Sequence, residues 1–302
     1  MYDLIGDIHG HADQLENLLQ KLGYKKEQGI YKHPDKRKAI FVGDFIDRGP
    51  QIREALHLVK DMCDVGHALA IMGNHEYNAI CFHTPHTEKD GFFRSHDLKE
   101  ISQHIKTLEQ FEQYPSEWNY FLEWFKTLPL FLELPEINVV HAFWNDDHIN
   151  WIKENYKGIT TDFLNMATDA KHSSGVYHII EETLKGKEWA LPAGLVVSDK
   201  DGILRTQCRI KWWIPIEKRK TYNDILMHCP DDLKNKKINF EDKFPSYTNF
   251  KPVFFGHYCL TQAPNIINAS AICLDYCIAN LGVLVACRVD MKDEKIHSIL
   301  IY

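Results

Sequence analysis

The chain lacks any stretch approaching the ~18 apolar residues that a membrane-spanning helix needs. Its first residues, Met1-Tyr2-Asp3-Leu4-Ile5-Gly6, carry neither the basic region nor the apolar core of a secretory leader. Basic charge is also short: 35 Lys and Arg stand against 42 Asp and Glu, a formal net charge of −7. That balance argues against a nucleic-acid partner held on a broad basic surface, and the apolar pattern argues against a membrane partner. The eight cysteines include no CxxC pair, and several of them (Cys273, Cys277 and Cys287) lie in apolar runs. Reduced, buried thiols and a cytoplasmic location are the expectation. No internal repeat or low-complexity linker divides the 302 residues, so residues 1–302 read as one domain. What is plentiful is histidine. Seventeen exceed the needs of a core and hint at metal chemistry.

Read in order, the chain opens with a short strand, Tyr2–Ile5, that ends at Gly6-Asp7-Ile8-His9-Gly10. Leu15, Leu18, Leu19 and Leu22 then follow helical spacing from Ala12 to Leu22, and Gly23 supplies a C-terminal cap. A loop runs to about Lys38. A second apolar run, Ala39–Val42, delivers Gly43-Asp44-Phe45-Ile46-Asp47-Arg48-Gly49, after which Pro50 opens a helix to about Met62. A third, Ala68–Met72, ends at Gly73-Asn74-His75-Glu76. Three strand–turn–helix units in succession predict a parallel sheet with its active edge at the strand ends.

From Cys81 to Pro129 the period becomes helical and aromatic, which predicts two packed helices forming a lid or flank. Leu130–Leu134 and Ile137–Val140 read as strands, the second ending at His141. Residues 145–250 read as an insertion of helical fragments with a Gly/Pro-punctuated section from Leu191 to Gly202. Strand character returns at Pro252–Phe255, which ends at Gly256-His257. Further strands are expected at Ala269–Leu274, Leu281–Val289 and Lys295–Tyr302.

Five strand ends thus carry metal-competent side chains: Asp7 and His9, Asp44, Asn74 and His75, His141, and His257. Any one histidine after a strand is more often a hydrogen-bonded structural residue than a ligand. All five at one end of a sheet would be a poor coincidence. Carboxylate, imidazole and amide oxygen without sulfur suit manganese, iron or zinc rather than a thiolate zinc site. Asp44, on the central turn, could bridge two ions about 3.5–4 Å apart, a pair able to clamp a phosphoryl group and make hydroxide available at neutral pH. The acidic net charge is no obstacle to a phosphorylated ligand, because the cations themselves supply positive charge.

GDIHG, GDFIDRG, GNHE, a strand ending in His-Ala and a later strand ending in Gly-His together resemble the calcineurin-like metallophosphoesterases. The Asp-Arg-Gly form of the second motif resembles the branch that holds the Ser/Thr protein phosphatases and the bacterial symmetrical diadenosine tetraphosphatases. Asp7 and Asp44 are 37 positions apart and Asn74 follows by another 30, room for one β-α unit each. The resemblance implies an α/β fold of the α+β type: a β-sandwich flanked by helices, with a largely helical cap from insertions at about 82–129 and 145–250. It implies two divalent metal ions, manganese first, with iron, zinc, nickel or cobalt also compatible. Asp7, His9 and Asp44 would hold one ion; Asp44, Asn74, His141 and His257 would hold the other. His75 would protonate the leaving oxygen, Asp47 would hold the His75 ring, and Arg48 would grip a phosphate oxygen.

The implied activity is a di-metal phosphohydrolase, Ser/Thr-phosphatase-like, acting on a phosphorylated protein or a small nucleotide. Alternatives are a symmetrical dinucleoside tetraphosphate hydrolase and a non-catalytic metal-binding module of the same fold. Three departures from the family pattern matter. Phe143-Trp144 follows His141-Ala142 where a glycine is usual. Cys259 stands where the wider superfamily often has a second histidine and is not counted as a ligand. His257 follows His141 by 116 positions, a long separation. Arg205 and Arg209, inside that separation, are candidates for a second arginine on the substrate phosphate, with surface cations as the plainer explanation.

Overall fold

A computed structural model describes residues 1–171, 175–198, 204–239, 241–292 and 295–302. Its regular elements begin with β1 (Tyr2–Ile5), α1 (Ala12–Lys21), β2 (Lys38–Phe41), α2 (Ile52–Asp64), β3 (Ala68–Ala70) and α3 (Asn74–His83). The aromatic segment supplies α4 (Leu98–Phe111) and α5 (Pro115–Thr127), followed by β4 (Phe131–Glu133) and β5 (Asn138–Val140). After α6 (Asp146–Asn155), α7 (Thr161–Thr168) and α8 (Val176–Lys185) come short hairpins. β6 (Val253–Phe255), β7 (Ala271–Cys273), β8 (Ala286–Lys292) and β9 (Lys295–Ile301) complete the framework.

The strands form two mixed sheets, as the expected β-sandwich requires, and the three strand–turn–helix units supply the parallel strands of the first. The first has the order β9-β8-β1-β2-β3, with β1, β2 and β3 parallel and β8 returning antiparallel to β1. The second has the order β7-β6-β5-β4, with β6 parallel to β5 and β7. β1, β2 and β3 are joined in succession by the crossover helices α1 and α2, which makes them parallel, whereas β5 and β6 are parallel across the long insertion between them.

Side-chain alternation along each strand explains the sandwich. Leu4, Ile40, Val42 and Ile71 of the first sheet meet Val139, Phe254 and Ile272 of the second in one buried layer. Their neighbours Ile5, Ala39 and Phe41 point the other way, into a core shared with α1, α2, α3 and α5. Val140, Val253 and Phe255 face a third core with Trp212, Trp213 and Ile225 of the insertion. Strands buried on both faces read as continuous apolar runs, which is how they were visible in the sequence. Four aromatic residues of 81–129 are core: Phe111, Trp118, Phe121 and Phe125 are buried against the first sheet's helices, whereas Phe92, Tyr114 and Tyr120 are exposed. The expected helix pair is present, with Asp97 capping α4 by accepting from Glu100 N and Pro115 opening α5.

Three local expectations need correction. The loop before Lys38 contains a hairpin, Lys25–Glu27 with Ile30–Lys32, closed by Gln28 and Gly29, both at positive φ. The second helix starts at Ile52 and not at Pro50, because Gln51 N donates to the Gly10 carbonyl of the preceding loop. Cys259 and Cys277 are not free thiols: they form a disulfide, with Asp275 accepting from the backbone N of both. Among the described residues the other six cysteines are in no disulfide, and all but Cys63 are buried. The Gly/Pro-punctuated stretch expected from Leu191 to Gly202 lies partly outside the described residues. No described helix is long and apolar enough to cross a membrane.

Candidate active site

The turns after β1, β2, β3, β5 and β6 converge. Gly43 lies against the β3–α3 turn so closely that a Cβ there would sit 2.5 Å from Gly73 N, and its φ is +98°. Gly256 is equally constrained, since its Cβ would stand 1.9 Å from Asp7 Oδ1. Several non-glycine residues in these turns, namely His9, Asp44, Asp47, Arg48 and His257, also hold positive φ. Each such conformation costs on the order of 1–3 kcal/mol, and strain of this kind concentrates where backbone shape serves a site.

Asp44 is the hub. His9 Nε2 is 3.7 Å and His75 Nε2 3.9 Å from its Oδ2, while His141 Nε2 is 3.3 Å from its Oδ1. Two groups of donor atoms result, His9–Asp44–His75 and Asp44–His141–His257, with the atoms in each group within 4.8 Å of one another. Asn74 Oδ1 lies 3.0 Å from His141 Nε2 and 2.7 Å from His257 Nδ1. Asp7 Oδ2 accepts from His257 N at 2.9 Å. All six residues expected as ligands therefore meet in one buried pocket. His75, expected as the acid, sits in the first donor group at the cleft side.

Backbone carbonyls orient two of the imidazoles. A carbonyl only accepts, so His9 Nδ1 donates to Ile46 O (2.9 Å) and His141 Nδ1 donates to Val42 O (2.7 Å). Both rings then turn Nε2 toward Asp44, the orientation in which a neutral imidazole would offer its lone pair to a metal. Burial and the neighbouring His75 push His9 down to about 3, which keeps it neutral. Burial followed by the Asp275 and Asp44 charges holds Asp7 well above the usual carboxylate range. Asp7 Oδ1 is buried with no hydrogen-bond partner among the described residues. A crowd of buried carboxylates with an orphaned oxygen and lone pairs converging on it is stabilised by cations, so the residues fit divalent metals.

Asp47 and His75 form a tight pair, Oδ2 to Nδ1 2.5 Å. Burial would neutralise His75, but the Asp44 charge and the hydrogen bond His75 donates to Asp47 outweigh it and raise its affinity for a proton. For Asp47, burial is again the largest influence, yet hydrogen bonds from His104 and His75 hold it below the ordinary carboxylate range. Arg48 is half-buried and close enough for its charge to act on His75, and it makes no hydrogen bond or ion pair among the described residues. A narrow cleft beside this pair is lined by His75, Asp47, Asn78, Phe82, Arg94 and His104.

Four residues that the sequence reading left unassigned complete the site. Glu76, fully buried, accepts from the backbone N of Asp44, Phe45 and Gly73, tying two of the turns together. Burial and the Asp44 charge push it up to about 7. Its place inside GNHE was the available signal. His104 and Thr107 of α4 hold Asp47, and Asp275 ties the Cys259 turn; none of the three has a local motif. Arg209 stands across its hairpin from Glu188 at 4.0 Å, Arg205 lies on the adjoining hairpin, and the arginine lining the cleft is Arg94. The insertion reaches the site from behind: Ala142 N and Phe143 N donate to Thr183 O of α8, and Trp212 Nε1 donates to Ala142 O. Phe143 and Trp144 are buried in the third core.

The family profile of the calcineurin-like phosphoesterases matches residues 2–259. Among curated proteins, the asymmetrical bis(5'-nucleosyl)-tetraphosphatase PrpE of Oceanobacillus iheyensis is 34% identical over 140 residues, 46% of this chain and 54% of that protein. The protein of the same name from Halalkalibacterium halodurans is 47% identical over 74 residues, 24% of this chain and 30% of that protein. In Bacillus cereus the figures are 32% over 197 residues, 62% and 76%. The chain thus spans about half the length of the first of these relatives and under a third of the second. A crystal structure of a putative diadenosine tetraphosphatase superposes over 100% of this chain and 93% of its own, with TM-score 0.46 and 16% identity. A Saccharomyces cerevisiae protein serine/threonine phosphatase covers 99% and 78%, with TM-score 0.45 and 16% identity. The chain belongs to the calcineurin-like phosphoesterases, metal-dependent hydrolases of phosphoester bonds.

Proposed function

We propose that the chain is a binuclear metal-dependent phosphohydrolase that opens the polyphosphate bridge of a dinucleoside polyphosphate. The observation that carries the two-metal reading is the membership of Asp44 in both groups of donor atoms. In this reading Asp7, His9 and Asp44 hold one ion, and Asp44, Asn74, His141 and His257 hold the other. Oxygen and imidazole donors without sulfur suit manganese. When bound, such a pair of cations neutralises phosphoryl charge and lowers the pKa of water. The chain's own residues do the rest. Asp47 fixes Nδ1 of His75, leaving Nε2 to carry a proton toward the leaving oxygen. Arg48, free of partners among the described residues, offers its planar fork to a phosphate oxygen. The segment 82–129, whose Phe82, Arg94 and His104 line the cleft, selects the substrate, while 145–250 supports the site from behind.

The names of the relatives favour a dinucleotide over the phosphorylated protein expected first, and asymmetrical over symmetrical cleavage. The test is direct. Chelator-stripped protein, reloaded with Mn²⁺, is assayed against diadenosine tetraphosphate and against a phosphoserine peptide, with products separated by ion exchange. Release of ATP and AMP is the expected result. Two ADP would mark symmetrical cleavage, and turnover of the peptide alone would contradict the nucleotide reading.

A further inference from the structure

The carboxylate that steers His75 is itself held by a helix outside the metal-binding turns. Asp47 has φ +68° and no strand to fix its side chain. Its Oδ2 faces His75 Nδ1, while Oδ1 receives His104 Nδ1 at 2.8 Å and the Thr107 hydroxyl at 2.5 Å. Thr107 Oγ1 also accepts from Asp47 N at 3.1 Å. Residues i and i+3 of one helix face therefore clasp both the backbone and the side chain of Asp47. His104, Thr107 and Asp47 are all buried, at 6%, 0% and 3% exposure.

The next link fixes the direction of the chain. Trp118 Nε1 can only donate, and it lies 3.1 Å from His83 Nε2, which must accept. His104 Nε2 lies 3.2 Å from that same atom, so the His83–Trp118 pair abuts the edge of the His104 ring opposite Asp47. His104 Nδ1 donates to the Asp47 carboxylate, and with its other edge packed against His83 the ring has a single orientation. A carboxylate locked in rotation locks the imidazole it holds.

We propose that His104, assisted by Thr107, is a positioning residue that keeps the His75–Asp47 pair aimed at the leaving group, an inference that rests on the hydrolytic reading above. The full Mn²⁺-loaded chain is compared as wild type, His104→Leu, His104→Asn and Thr107→Val on phenyl phosphate and on p-nitrophenyl phosphate. His104→Leu is expected to lower kcat on phenyl phosphate about 10- to 100-fold with KM and metal content unchanged. On p-nitrophenyl phosphate, whose phenolate leaves without a proton, the loss stays within about threefold. His104→Asn, which keeps a donor toward Asp47, restores most of the rate, and Thr107→Val gives the same substrate bias more weakly. In the chain loaded with diamagnetic Zn²⁺, the downfield proton resonance of the His75–Asp47 hydrogen bond is lost in His104→Leu and kept in His104→Asn. Equal losses on both substrates, no loss in His104→Leu, or an unchanged resonance would overturn the proposal. A wild type that hydrolyses neither these esters nor diadenosine tetraphosphate would refute the hydrolytic reading, and the resonance would still decide the clasp.

Discussion

The two sides of the pocket are built differently. On the metal side, imidazoles are set by backbone carbonyls of neighbouring turns, Ile46 O for His9 and Val42 O for His141. On the acid side, His75 is set by Asp47, and Asp47 by side chains of α4. The first arrangement follows from the sandwich, because the turns must meet where the strands end. The second depends on a helix inserted between β3 and β4. In the reading proposed above, strand-end turns define where metals sit, while a helix between β3 and β4 aims the proton donor.

This contrast predicts separable losses. The largest is expected for His75→Asn, which should lower kcat by about 10²–10⁴-fold while leaving the metal content unchanged. Equal loss of metal in that variant, measured by atomic emission, would place His75 on the metal side and erase the distinction. Next is Arg48→Ala, where losing one charge-assisted hydrogen bond of about 1.5–3 kcal/mol should lower kcat/KM roughly 10- to 100-fold. Unchanged kcat/KM would remove Arg48 from phosphate binding.

Two smaller effects sharpen the comparison. Trp212→Phe removes the donor to Ala142 O behind the His141 turn and should reduce unfolding free energy by about 1 kcal/mol. It should leave the leaving-group dependence of the rate untouched, since it acts on the metal side. His83 is pushed down to about 4 by burial and by His104 and His96. Below its unfolded value of 6.5 the unfolded chain binds a proton that the folded chain refuses. The stability His83 contributes is therefore complete above 6.5 and is lost as pH falls toward 4. Wild type should lose on the order of 1 kcal/mol more than His83→Gln across that window, after screening by solvent. Parallel pH profiles in urea unfolding would contradict this.

How much of this was legible in the sequence divides along the same line. Asp7, His9, Asp44, Asn74, His141 and His257 could be picked out because each follows an apolar run, and burial on both faces makes such runs continuous. Asp47 and Arg48 came with the turn. His104 and Thr107 were invisible because their meaning lies in a partner 57 or 60 residues away, on a helix whose aromatic period speaks only of packing. Sheet membership was hidden for a related reason. β6 and β7 look like β1 and β2 as runs of residues, and only the pairing of β6 with β5 puts them in a different sheet. The disulfide was missed because an apolar setting marks Cys277 as buried and says nothing of Cys259 beside it. Glu76 shows the reverse case: it sat inside a recognised motif, but its work of joining three backbone N–H groups appears only once the turns have closed on it.

The shared aspartate is the centre of the account, and anomalous diffraction from crystals grown with Mn²⁺ tests it most directly. Two peaks about 3.5–4 Å apart, with Asp44 between them, are the predicted result. A single peak, or two peaks of which only one touches Asp44, would contradict it.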